Sequence, residues 1–78
     1  MEDIQIIERI HRLVDEEHRL REHGDGIDKA DAARLRYLEV GLDQCWDLLR
    51  QRRARRQAGE DPEESDVRDA GTVEGYRQ

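Results

Sequence analysis

Two pairs of side chains have the spacing of a metal site. Glu8-x-x-His11 and Asp15-x-x-His18 each place an acid three residues before a histidine, an interval that helical di-iron proteins use. Positions three apart share a helix face, so each pair could touch one ion. In the heptad described below, Glu8 and Asp15 fall at f and His11 and His18 at b, away from the apolar seam. A metal there needs ligands from a second chain, and a solvated polar face is the simpler expectation. We therefore expect no metal site and no cofactor in one chain. A metal-binding bundle formed across a dimer stands only as a second alternative.

The remaining reactive side chains are sparser. Asp43 and Asp47 lie one helical turn apart and could imitate paired catalytic carboxylates, but read more simply as surface acids facing Arg50 or solvent. Cys45 falls at a seam position and reads as a small buried hydrophobe. A thiolate there needs a basic neighbour on the seam, and none is placed there. Glu17, the one polar intrusion in the first seam, should pair with an arginine or tyrosine or sit near the wet turn, because an unpaired buried carboxylate is costly. Such a residue commonly fixes register. No catalytic residue is assigned and no enzyme is expected.

The strongest interaction signal is Trp46, Leu49 and the arginines Arg50, Arg52, Arg53, Arg55 and Arg56. The guanidiniums go around a helix rather than along one stripe. They suit dipole compensation and pairing with an acidic tail, or a patch for phosphate or an acidic protein surface. No groove-reading pattern is present, so sequence-specific DNA binding is not expected. Structured RNA or the ribosome is the alternative partner, with the tail as an intramolecular competitor.

These residues must be positioned by very little apolar material. The chain has 78 residues, 35% hydrophobic and 44% charged, with no phenylalanine. Below roughly 80 residues a lone core rarely supplies more than about 3–5 kcal/mol. A single cysteine excludes an internal disulfide and a cysteine zinc cluster, leaving oligomerisation or docking as the staple. Met1-Glu-Asp-Ile-Gln has no basic region before an apolar run, and no stretch approaches the roughly 20 apolar residues of a bilayer span. A cytoplasmic protein without membrane contact is expected.

Periodicity supplies the scaffold. Asp3 reads as an N-cap. Ile6, Ile10, Leu13, Glu17 and Leu20 then alternate at four and three, the heptad seam of a helix over about 4–23, with Ile7 and Val14 beside it. Gly24-Asp-Gly-Ile27 is a turn, with Gly24 placed for the left-handed position after a helix. Asp28 caps a second helix over about 29–57, with Asp31 completing a capping box. Its seam is Leu35, Leu38, Leu42, Cys45, Leu49 and Arg52. A tight antiparallel hairpin brings Leu13 to Leu38, Ile10 to Leu42, and Ile6 to Cys45 and Trp46. The second helix is the longer, so Arg50 to Gln57 overhang its partner, with Glu2 and Asp3 close to where the overhang starts. Gly41 could mark where a second hairpin crosses.

Charge divides the chain at the same place. Residues 1–57 hold 12 basic and 13 acidic side chains, and residues 58–78 hold two and seven. Residues 58–78 therefore read as an acidic tail opened by Gly59-Glu-Asp-Pro62, either mobile or folded back through Val73 to Tyr76. The DNA-repelling acidity belongs to the tail.

Several runs resemble one family: Val14-Asp-Glu-Glu-His-Arg-Leu-Arg-Glu22, Leu42-Asp-Gln-Cys-Trp-Asp-Leu-Leu-Arg50 continuing to Arg56, Gly59-Glu-Asp-Pro62 and Val73-Glu-Gly-Tyr76. The family consists of short actinobacterial proteins of unknown function (domain of unknown function 2630), and the resemblance covers nearly the whole chain. It implies a bacterial, intracellular, stand-alone protein, and transfers no functional residue.

The expected architecture is an all-α, coiled-coil-like antiparallel hairpin, dimerising into a four-helix bundle. The dimer surface is Ile7, Val14, Val40, Gly41 and Trp46, because one short partner helix cannot cover Trp46, Leu48 and Leu49. The expected role is non-enzymatic: protein–protein contact with a second copy and a further partner.

Overall fold

The computed structural model describes residues 1–22 and 28–74. The chain is all-helical there: α1 spans Asp3–Arg21, α2 spans Lys29–Gln57, a 3₁₀ turn covers Pro62–Glu64, and a short α3 covers Ala70–Glu74. The Gly24 cap, the 24–27 turn and Tyr76 lie outside the described residues.

The start of α1 departs from expectation. Glu2, not Asp3, is the N-cap, and its backbone N–H donates to Gln5 Oε1 at 2.8 Å. Asp3 is the first helical residue, which frees its carboxylate for α2. The helix ends at Arg21, with the Glu22 N–H donating to the His18 carbonyl at 3.0 Å. In α2, Asp28 caps as its residue type suggests: Oδ1 accepts from the Asp31 N–H at 2.8 Å.

The helices pack antiparallel. Glu16 of α1 meets Arg34 of α2, Arg21 meets Glu39 at 3.5 Å, and Asp3 meets Arg52 and Arg56. Ile6, Ile10, Cys45 and Leu48 form the buried cluster, with Leu13, Val14, Leu42 and Leu49 packed against it. Leu20 is half-buried farther along α1. Leu35 and Leu38 are buried towards the start of α2.

Ile6 and Cys45, read as partners from periodicity, lie in one buried cluster, and Leu48 joins them there. Leu13 sits against Gly41, where a Cβ would lie 3.4 Å from Leu13 Cδ1. Gly41 is thus the place where α1 presses on α2 of its own chain, not an open crossing point for a second hairpin. Leu48 lies in the core, while Leu49 and Leu42 stay half-buried on its flank.

After α2 the chain reverses. Gly59 takes φ +76°, a left-handed conformation that glycine adopts without steric cost. The Ala58 N–H closes the helix on the Ala54 carbonyl at 3.0 Å, and the Glu60 N–H returns to the Arg55 carbonyl at 2.7 Å. Residues 60–74 then run back along α2 as a strap. Gln51 holds it like a short β-bridge: Nε2 donates to the Asp66 carbonyl at 2.6 Å, and Oε1 accepts from the Asp66 N–H at 3.3 Å. Gln44 Nε2 donates to the Arg68 carbonyl at 3.1 Å. At the far end Val73 is buried, and Arg36 pairs with Glu74 at 3.2 Å.

Candidate functional site

The arginine end of α2 is not a bare overhang. Arg52 is buried, its guanidinium held between Asp3 from the start of α1 and Glu63 from the 3₁₀ turn, the latter at 3.1 Å. Arg56 reaches the other oxygen of Asp3 at 2.8 Å. Arg55 lies 3.4 Å from Glu60 and 3.6 Å from Glu64. The N-terminal ammonium of Met1 closes the group on Glu63 at 2.6 Å. Chain start, helix end and strap therefore meet in one ionic cluster. Arg53 is exposed, as is Arg50, which has a partner of its own.

This cluster fixes the protonation of its acids. Arg56 and then Arg52 donate to Asp3 and hold its carboxyl below its ordinary 3.8. The N-terminal ammonium and then Arg52 hold Glu63 below 4.5. Each group binds its proton less readily folded than unfolded. Its contribution is complete above the unfolded value and lost as pH falls through the folded one. The thermal midpoint should therefore be level above pH 4.5 and fall progressively below 3.8. Asp3→Asn should lower the midpoint at neutral pH and flatten that acid slope. Equal slopes in both proteins would remove Asp3 from the account. Added salt should weaken the same contacts, because the carboxylates are partly solvated.

A second polar stripe runs along the strap side of α2. Gln44, Asp47 and Gln51 recur at three and four residues, so they share one face. Asp47 is not the surface acid its type suggests: it is 3% exposed, accepting from Gln51 Nε2 at 2.8 Å and facing Arg68 Nε at 3.3 Å. Asp43, one turn before it, is only partly buried and has an interaction of its own. Val40, one turn before Gln44, is on this strap-side stripe too. It is therefore separated from Ile7, Val14 and Trp46, with which it was grouped from sequence.

Cys45 lines a small pocket of about 100 Å³ with Arg9, Gln44, Gly41, Ile6, Leu48, Met1 and Val67. A basic neighbour that the heptad did not place, Arg9, does lie beside the thiol. Burial nevertheless dominates and pushes the thiol up from 9.0, away from the thiolate a nucleophile needs. Glu17 is largely shielded and meets Arg21 one turn on at 3.8 Å. Glu8, His11, Asp15 and His18 are all exposed. Among the described residues no group of three or more His, Cys, Asp or Glu is arranged to hold a metal.

The other side of the hairpin is open. Leu42, Trp46 and Leu49 recur at four and three residues on α2, flanked by Ile7 and Val14 of α1. Trp46 is 49% exposed and Ile7 38%. This stripe lies about 160° around α2 from the strap-side stripe, at 100° per residue. The strap therefore leaves it uncovered.

Fold and surface together define a small helical hairpin with a back-folded strap, carrying an ionic clasp and one uncovered apolar face. The chain belongs to a family described as protein of unknown function (DUF2630), whose model matches residues 2–78. It is 51% identical over 77 residues to uncharacterized proteins of Mycobacterium tuberculosis and Mycobacterium bovis, covering 95% of this chain and 88% of each relative. No solved structure matches it significantly. Among the described residues no helix is long and apolar enough to cross a membrane.

Proposed function

We propose that this is a non-enzymatic cytoplasmic interaction protein whose working surface is the apolar face of the hairpin. One observation carries the reading: Trp46 stands half exposed between Leu42 and Leu49, on the side the strap does not cover. Aromatic residues set among aliphatics are the usual anchors of protein interfaces. The polar stripe, by contrast, is already occupied by the chain's own backbone.

The RNA or ribosome alternative draws less support. Asp3, Glu60, Glu63 and Glu64 already face Arg52, Arg55 and Arg56, so phosphate would have to displace carboxylates. The metal-binding alternative needs a second chain to complete any ligand set.

The test is a photo-crosslinking residue placed at position 46 in the native host, with position 8 on the polar side as control. Position 46 should yield defined protein adducts, a second copy of this chain included, that position 8 does not. Matching adduct patterns at the two positions would sink the reading.

A further inference from the structure

The uncovered face is patterned as if to meet itself. Leu13 against Gly41, and Asp3 against Arg52 and Arg56, set the register of the hairpin. In that register Ile7 lies beside Leu49, and Val14 beside Leu42. These four form the corners of a patch with Trp46 at its middle. Along α2 the stripe reads Glu39, Leu42, Trp46, Leu49, Arg53, at intervals of three, four, three and four. Its two ends are opposite in charge and equidistant from Trp46, seven residues or about 10.5 Å away on either side.

A two-fold axis makes one surface serve both partners, so it requires a patch complementary to its own rotated image. This patch satisfies that condition about an axis through Trp46, perpendicular to the helices. The rotation sets α2 antiparallel to α2 of the second copy, Leu42 against its Leu49, Ile7 against its Val14, and Trp46 against its Trp46. Glu39 of each copy meets Arg53 of the other, twice per dimer. Arg53 is exposed, and Glu39, which among the described residues pairs with the exposed Arg21, has oxygen lone pairs left to accept from it. A like-sign stripe would repel its own copy; this one attracts it.

We propose that the occupant of the apolar face is a second copy of this chain, paired about a two-fold axis at Trp46 with reciprocal Glu39–Arg53 contacts. This rests on the reading of that face as a docking face, and it names the partner. The strap side stays outside the interface.

The experiment is the solution mass of the purified full chain across micromolar concentrations, with Trp46, the only tryptophan, as the optical probe. The wild type should give twice the chain's 9.2 kDa, and its tryptophan emission should shift to the blue as concentration rises. Trp46→Glu and Arg53→Glu should each give a monomer with undiminished helix content by circular dichroism. The reciprocal pair Glu39→Arg with Arg53→Glu should restore the dimer. A wild-type monomer at every concentration overturns the proposal, and so does a dimer indifferent to Trp46→Glu. A dimer lost in Arg53→Glu but not restored by the pair overturns the axis at Trp46. Should the purified chain be monomeric while position 46 still crosslinks another protein in the host, self-pairing falls and the docking reading stands.

Discussion

Leu38→Ala will cost about 2–5 kcal/mol, the range for emptying a fully buried leucine site, because Leu38 is 0% exposed. The size of the loss matters more here than in a larger protein. Alongside Leu38 the described core holds only Ile6, Ile10, Leu35, Cys45, Leu48 and Val73. A scaffold of this length has about 3–5 kcal/mol in total to lose. The variant should therefore be largely unfolded near room temperature, read as a drop in helical ellipticity and a urea midpoint shifted towards zero. Ile4→Ala provides the scale. Ile4 sits in the same hairpin but is exposed, so its replacement should stay within about 0.5 kcal/mol. If the two variants cost the same at one protein concentration, the seam is not where the hairpin gets its stability.

Elements governed by a local rule were readable before any coordinates. Asp28 announces its helix because its side chain can reach the free amides of the first turn. The 3.5-residue recurrence of Ile6, Ile10, Leu35, Leu38 and Cys45 points to the buried side of each helix because nothing else places apolar groups at that interval. The attraction of Asp3 for the arginines was also legible, since an antiparallel hairpin must bring the chain start to the end of the longer helix. What escaped depends on partners far away in sequence. Asp47 is buried because Arg68 and the strap enclose it from 21 residues on, which its own helix does not signal. Gln44 and Gln51 bind backbone, which has no sequence pattern at all. Arg52 sits at a seam position and was read as overhanging, whereas Glu63 returns to cover it. Gly41 was recognised as a close approach, but it was read as a crossing point for a second hairpin, whereas Leu13 of its own chain packs on it.

The strap supplies the second large effect. At five residues α3 is far too short to be stable alone, so its order depends on what holds it to α2: Val73, the Arg36–Glu74 pair and the side-chain grip on Asp66 and Arg68. Burying a valine side chain is worth about 1.5–3 kcal/mol, and a charge in its place cannot be buried unpaired. Val73→Asp should therefore release residues 65–74 while leaving the α1–α2 hairpin helical. Tryptic cleavage after Arg68, which lies in non-helical chain, tracks the population of the open form when opening is fast. It should rise about tenfold or more, each 1.4 kcal/mol being a factor of ten, with little change in ellipticity. Unchanged cleavage would mean that the strap is held by its polar contacts and that Val73 is incidental. The same variant decides whether the strap competes for the arginines. Releasing residues 65–74 removes the tether on the C-terminal side of Glu60, Glu63 and Glu64, leaving only their ionic contacts to hold them on Arg52 and Arg55. Any affinity for an anionic polymer at low salt should therefore increase over the wild type. If the released chain binds such a polymer no better than the intact one, the clasp is structural and the arginines belong to the fold.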